Sequence, residues 1–376
     1  MINISKMGVA AIAFSIVFGA SSQASSDANI NKLLSTIKLP PGFKISLFAK
    51  VPRARSMAIG TPLGTVFVGS RHGTIHMLRD RDKDGVAEEI VLKTDKLKVP
   101  NGVAYNGMSL YIVEQNQITF WAGPSEFDTA RPLVPLIPIV KNLPDKFLHG
   151  WRYAAFGPDK KLYVSVGSPC NVCQVSGHEG KIIRMDGNGK NIETVGSGIR
   201  NSVGFDWHPK TKELFFTDNG SDGMGDDIPA DELNHVTKMG QFFGFPFYGG
   251  GKTRTPQTKD KQAPKNSVSP VIEFQAHSAN LGIHFYTGNM FPSEYKNDAF
   301  VAQHGSWNRS SPVGYQLMRV RFNDKGKAVG KEVFVSGWLK GNSAWGRPVD
   351  IKMIADGSLL VSDDFVGAIY RISYQR

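Results

Sequence analysis

Apolar and polar residues alternate in short runs along most of this chain, and turns rich in Gly, Pro, Asn and Asp separate the runs. LYVSV after FGPDKK and LLVSD after MIADGS are examples. Alternation with period two over about four to seven residues predicts strands. A longer phrase recurs on top of this pattern, roughly every 45 to 50 residues and more widely where long loops intervene. It reads as an apolar pair, a turn, a short strand, and then Gly or an acid. It appears as SMAIGTPLGTVFVGSRHG from Ser56, GVAYNGMSLYIVE from Gly102 and YAAFGPDKKLYVSVGS from Tyr153. It returns as GFDWHPKTKELFFTDNG from Gly204, IHFYTGNMFPSEYKNDAFVAQHG from Ile283 and VDIKMIADGSLLVSDDFVG from Val349. Six such units predict an all-β protein, a six-bladed β-propeller occupying residues 43–376 as one domain. A blade buries its faces only against its neighbours, so the ring has to close. The last apolar run, Ala368 to Ser373, is expected to pair with the first, Phe43 to Phe48.

Two stretches break the rhythm. Residues 220–250 are rich in Asp, Gly and Phe, and residues 251–269 are polar with many Lys and Pro. We read both as long loops of one blade, arching over the channel. Residues 25–42 form a lead-in, with one short helical turn expected at 29–37 before Pro40-Pro41. Residues 1–24 have the form of a secretory signal: Lys6, an apolar core from Val9 to Phe18, and a small-x-small site at Ser22-Gln23-Ala24. That core is short for a bilayer span, and the polar SSDAN follows it. The expectation is a periplasmic or secreted protein without stable membrane insertion.

Composition adds two constraints. Formal charge is +11 over 376 residues, and Lys and Arg are spread rather than blocked into runs. Such a charge suits acidic surfaces or an acidic redox partner, whereas nucleic-acid binding lacks a motif or a concentrated basic stripe. The 2 cysteines exclude a disulfide framework. Cys170-Asn-Val-Cys173 is followed by Gln174, so the histidine of a covalent haem motif is absent, and no second pair completes a zinc site. In an oxidising compartment a local disulfide pinning this loop is favoured over a redox pair. Asp80-Arg-Asp82-Lys-Asp84-Gly85 matches the start of a calcium loop, but Val91 occupies the position of the bidentate acid, so an acidic turn is favoured.

Several polar residues recur at one phase, just before an expected inner strand: Asn101, His149, Arg200-Asn201 and Arg347. Propeller geometry sends equivalent positions to one end of the channel. An imidazole beside a guanidinium and amides can take a proton and stabilise negative charge on an acceptor.

The segments HGWRYAAFGPDKKLYVSVG, IRNSVGFDWHP, TDNGSDG with ADELNHV, and GFPFYGG resemble the soluble pyrroloquinoline-quinone (PQQ)-dependent aldose dehydrogenases. HGSWNRS and the CNVC loop are most similar to the sorbosone dehydrogenase-like branch. The resemblance covers about Phe43 to Ile372. It implies PQQ and Ca2+ as cofactors, with His149 as the base that takes the hydroxyl proton while hydride passes to the quinone, and Arg200 polarising the quinone carbonyl. Asn101, Asn201, Arg309 and Arg347 match cofactor-contacting positions. Gly220 and Ser221 match the backbone carbonyls that hold the cofactor's calcium. Glu232 matches a carboxylate of an additional structural calcium, with Tyr248 as an associate. Leu148 and Ser168 stand where the family has acids beside the base, so the His149 imidazole needs another partner.

The expected activity is therefore oxidation of an aldose or aldehydic sugar, with electrons leaving to an external acceptor such as a cytochrome or a quinone. Two other readings compete. A calcium-dependent lactonase on the same fold would use Asp218, Asp231, Glu232 and Asp363 as metal ligands. A non-catalytic propeller would bind sugar or protein through its loops. The arginines suit an anionic cofactor better than either.

Overall fold

The computed structural model describes residues 29–107, 109–122 and 135–375; the expected signal lies outside them. Residues 29–34 form the short helix of the lead-in. Among the described residues, no helix is long and apolar enough to cross a membrane. The regular structure of the rest is almost entirely strand, and its strands form six main sheets.

Each main sheet is one blade of antiparallel strands. The innermost strands are Ala54–Ile59, Gly102–Asn106, Ala154–Phe156, Phe205–Trp207, Asn280–Phe285 and Pro348–Met353, set around a central axis. Ring closure follows the expectation. The first strand, Phe43–Lys50, is the outer strand of the last blade and runs antiparallel to Ala368–Tyr374, from Phe43 opposite Tyr374 to Lys50 opposite Ala368.

Alternation explains why the ring holds. Each strand sends residues to both faces of its blade, and the inward residues of adjacent blades meet in an apolar wedge. Six clusters fill the six wedges. One joins Phe67, Ile75, Val103 and Ile112 of the first two blades; another joins Phe300, Leu317, Val361 and Tyr370 of the last two. Burying each such side chain contributes about 1.5–3 kcal/mol, so the repeats stabilise one another rather than folding singly.

The fourth blade carries the long loops, and they do different things. Residues 219–230 link two of its strands, Leu214–Asp218 and Asp231–Val236, at the channel end. The excursion after Val236 does not arch over the channel. Its short strand Gln241–Phe242 pairs in parallel with Gly196 and Ser197, adding a fifth strand to the third blade. Phe242 and Phe243 pack on glycines of that outer edge, an apolar attraction stronger than exposure over the mouth.

A candidate active site at the channel mouth

The start of an inner strand and the end of its hairpin partner lie at the same end of a blade. Residues at those two phases therefore converge on the axis. Here they line a cavity of about 350 Å³, a volume usual for small-molecule sites. Its wall includes His149, Arg200, Asn201, Gly220 and Arg347 from the expected set. It also includes Arg55, Arg71, Trp151, Asp222, His277 and His304. Val203 and Leu281, which pack with Val349 and Trp151, give it one apolar side.

His149 is buried and sits in the left-handed region, φ 51°. Its Nδ1 lies 2.9 Å from the Ser168 carbonyl oxygen and 3.1 Å from Ser168 Oγ. That contact makes Nδ1 the protonated nitrogen and leaves Nε2 as the lone-pair nitrogen. Gly167 permits this approach, because a Cβ there would fall 2.5 Å from His149 Cβ. Burial, followed by the charge of Arg200, pushes the imidazole down to about 3, so it is neutral at pH 7.

Arg200 is held on every side. Nη2 donates to Asp222 Oδ2 at 2.7 Å and to Asn171 Oδ1 at 2.9 Å, Nε to the Asn171 carbonyl at 3.0 Å, and Nη1 to the Asn219 carbonyl at 3.2 Å. Asn171 lies between Cys170 and Cys173, which are joined as a disulfide. Ser168 Oγ, the neighbour of His149, donates to the Cys170 carbonyl at 2.9 Å. One small loop thus supports both the imidazole and the guanidinium.

A second cationic group faces them across the mouth. The buried Asp364 accepts from Arg55 and Arg71, each at 3.1 Å, and pairs with His304 Nε2 at 2.7 Å. Burial alone would raise this carboxyl, but His304 and the two arginines outweigh it and hold it well below the usual range. Arg347 donates to the carbonyls of His304 and Gly305 at 3.0 and 2.7 Å. Arg55 and Arg71 also lie 5.8 and 5.1 Å from the Trp151 ring centre, within cation–π range.

Four expected residues are not on the cavity wall. Asn101 is fully buried behind it, accepting from Arg55 Nε at 2.7 Å and donating to Ser56 Oγ and the Arg152 carbonyl; it orients Arg55. Ser221 is buried and donates its N–H to the Gly249 carbonyl. Glu232 lies opposite Asp218 in paired strands, around a small void that Gly220 and Tyr248 also border. Burial pushes Asp218 up to about 7, and burial with the Asp218 charge pushes Glu232 up to about 8. Arg309 is tied to Asp226 and Asp227, fastening its loop to the 219–230 segment. The turn at Asp80, Asp82 and Asp84 brings these acids and Glu88 to within 4.8 Å of one another at the surface.

The wall suits a polyanion with a hard cation. Four guanidinium groups face two carboxylates, Asp222 and Asp231. Beside Gly220, the side-chain oxygens of Asn201 and Asn219 are buried with no partner among the described residues. Oxygen acceptors left without donors are what a calcium or magnesium ion takes as ligands.

Residues 247–375 match the TrAA12-like family model. Among solved structures, the calcium structure of the Trichoderma reesei carbohydrate-active enzyme of family AA12 has a TM-score of 0.77 at 20% identity, covering 90% of this chain and 97% of that one. The holo form of the pyranose dehydrogenase PQQ domain from Coprinopsis cinerea has a TM-score of 0.74 at 18% identity, with 90% and 97% covered. These likenesses show a shared fold. An uncharacterized protein of Borreliella burgdorferi is 37% identical over 362 residues, covering 92% of this chain and 93% of that protein. With identity at that level along nearly the whole of both chains, this chain belongs to the same family as the B. burgdorferi protein.

Proposed function

We propose that this protein is an exported sugar dehydrogenase that oxidises an aldose or a sorbosone-like aldehydic sugar with PQQ and Ca2+. The observation that carries this reading is the convergence of one neutral imidazole, His149, and four guanidinium groups on a single cavity. The PQQ named for the C. cinerea domain and the AA12 class of the T. reesei protein support it. Arg55, Arg71, Arg200 and Arg347 would hold the cofactor's carboxylates and carbonyl oxygens. Gly220 and Ser221 would give backbone oxygens to its calcium, with Asn201 and Asn219 beside them. Glu232 and Asp218 would hold a second, structural ion. When bound, the quinone supplies the carbon that accepts hydride.

The chain's own residues do the rest. His149 Nε2 takes the proton of the substrate hydroxyl, and the contact of Nδ1 with Ser168 keeps that nitrogen available. Arg200, immobilised by its four hydrogen bonds, places positive charge where negative charge develops. The substrate carbon loses hydride and its oxygen loses a proton. An aldose becomes a lactone, and a hydrated aldehyde becomes an acid. Electrons then leave to an external acceptor, a cytochrome or a quinone.

Reconstitution tests this directly. The mature protein is mixed with PQQ and calcium, and the cofactor absorbance is followed while aldoses and sorbosone are added. Stoichiometric binding and sugar-dependent reduction, absent in His149→Ala, are expected. Failure to bind PQQ would overturn the reading and direct attention to calcium-dependent lactone hydrolysis.

A further inference from the structure

The polar excursion of the fourth blade carries positive charge that the fold does not use. Within residues 251–269 five cations, Lys252, Arg254, Lys259, Lys261 and Lys265, stand against one acid, Asp260. The four lysines are exposed and join no ion pair among the described residues. Other surface lysines find acids, as Lys98 does in Asp145, Lys161 in Glu193 and Lys210 in Asp324.

The segment that carries these lysines is fixed. Arg254 is half-buried and donates to the carbonyls of Thr258 and Lys261, closing the chain around its guanidinium. That group lies 5.4 Å from the Tyr248 ring centre and 5.9 Å from that of Phe247. Thr255 donates through Oγ1 to the Pro246 carbonyl at 2.7 Å and through its N–H to the Phe247 carbonyl at 3.1 Å. Arg254 is the anchor, and the lysines are the array it presents. Like charges held together repel one another, and an anionic partner relieves that repulsion.

The segment also adjoins the channel mouth. Its strand Thr253–Arg254 pairs with Tyr248–Gly250 in a hairpin. The Gly249 carbonyl accepts from the Ser221 N–H at 2.7 Å, and the Gly251 N–H donates to Glu232 Oε1 at 2.6 Å. A Cβ at Gly250 would collide with the Ala230 carbonyl and stand 3.1 Å from Pro229 Cβ. The hairpin is therefore packed on the 219–230 loop, whose Gly220 and Asp222 belong to the cavity wall. Ile228 of that loop precedes Pro229 and is 47% exposed. Its carbonyl lies 3.2 Å from Nε2 of His277, another residue of the wall. An exposed aliphatic side chain thus adjoins both the cavity wall and the basic hairpin. Of the acids nearby, Asp226 and Asp227 are engaged by Arg309, and Glu273 borders Gly251 at the foot of the hairpin.

Charge that steers an encounter, with a small apolar contact beside the place where electrons leave, makes a transient redox interface. We propose that residues 251–269 and Ile228 are the docking surface for the electron acceptor, and that this acceptor is an acidic one-electron carrier protein. This rests on the sugar-dehydrogenase reading. Oxidation of one sugar releases two electrons and two protons. Two acceptor molecules dock in turn and take one electron each, and the protons pass to water. The segment has no exposed large apolar side chain to place in a bilayer, whereas the mouth beside it is where a carrier has to come.

The test measures kcat/KM for an acidic c-type cytochrome and for an uncharged benzoquinone as acceptors, with sugar and the protein loaded with PQQ and calcium. In the Lys252→Glu/Lys259→Glu/Lys261→Glu/Lys265→Glu variant the cytochrome value should fall by about 10- to 100-fold, the range of electrostatic steering, while the benzoquinone value holds. Wild-type turnover of the cytochrome should fall as salt is raised, and a basic cytochrome should gain in the variant. Ile228→Ser should lower the acidic cytochrome value by about threefold, again with benzoquinone turnover unchanged. All five side chains are exposed, so the melting temperature reports whether the variants fold. Benzoquinone turnover together with a cytochrome value indifferent to charge reversal would overturn the proposal and leave the dehydrogenase reading intact. A wild type that neither binds PQQ nor turns over benzoquinone would remove that reading, and the proposal with it. Co-sedimentation with phosphatidylglycerol vesicles, lost in the variant while cytochrome turnover is kept, would also overturn the proposal and assign the lysines to an anionic bilayer.

Discussion

His304 Nε2 lies 2.7 Å from one oxygen of Asp364, while the other oxygen receives Arg55 and Arg71 at 3.1 Å. A single carboxylate from the last blade thereby gathers an imidazole from the fifth and two guanidinium groups from the first. Removing one partner from a buried ionic cluster strands the others. Asp364→Asn should cost about 3–5 kcal/mol in denaturant unfolding, the usual range for breaking a buried pair. An unchanged midpoint would show that Arg55 and Arg71 are satisfied without it.

Two of the cavity histidines, His149 and His304, each carry a stability penalty in acid. Burial leads the causes that push His149 to about 3 and His304 to about 4, against 6.5 for a free imidazole. At these two sites the unfolded chain binds more protons than the folded one below 6.5, so each lowers stability as pH drops, while the raised carboxyls Asp218 and Glu232 act in the opposite direction. Each group contributes at most about 1.4 kcal/mol per pH unit. The difference in unfolding free energy between the wild type and His149→Asn isolates the His149 contribution and should shrink along this slope as pH falls from 6.5 to 4; a difference that does not change with pH would show that the folded imidazole titrates as a free one does. In turnover, His149→Ala should reduce kcat by about 10²–10⁴ while PQQ still binds, as loss of a general base does. Equal loss of binding would mark His149 as a cofactor anchor instead.

Divalent cation removal should be felt in the fourth blade. Asp218 and Glu232 face each other in paired strands, with Asn234 and the Gly251 N–H as the hydrogen-bond donors to Glu232. Calcium at 100 times its dissociation constant should stabilise by about 2.7 kcal/mol, read as a higher melting temperature than in chelator. In Glu232→Gln most of that difference should vanish. A full response in the variant would place the stabilising ion elsewhere.

The Cys170–Cys173 disulfide should matter more to activity than to stability. It encloses too few residues to restrict the unfolded chain much. Yet it frames Asn171, which takes two of the hydrogen bonds of Arg200, and the Cys170 carbonyl anchors Ser168. The Cys170→Ser/Cys173→Ser double variant should keep its melting temperature within a few degrees and lose about tenfold in kcat, the cost of loosening one electrostatic group. A large drop in melting temperature with full activity would reverse that assignment.

The propeller was legible because alternation and turn chemistry repeat six times, and repetition outweighs the ambiguity of any one strand. The site was half legible. Residues preceding inner strands announced His149, Arg200 and Arg347, and Arg55 at the head of its strand fits the same rule. A second phase carries equal information. The residues that follow each blade's second strand include Arg71, Ser168, Asn219, His304 and Asp364, and reading that column would have found the Asp364 cluster. Asn101 and Arg309 show the limit. Each lies near the right phase, but whether a side chain faces the cavity or supports one that does depends on packing partners remote in sequence.

Closure by Phe43–Lys50 against Ala368–Tyr374 has a consequence for the life of the chain. The first strand made is the last to find its partner, and the contact spans nearly the whole sequence. Blades can collapse as they emerge, but the outer edge of the first segment stays bare until the C-terminus is released. Long-range pairing of this kind slows folding and exposes strand edges meanwhile. Truncation by even one terminal strand would leave an open ring, and with it the wedge holding Tyr370 and the cluster anchored on Asp364 would come apart at once.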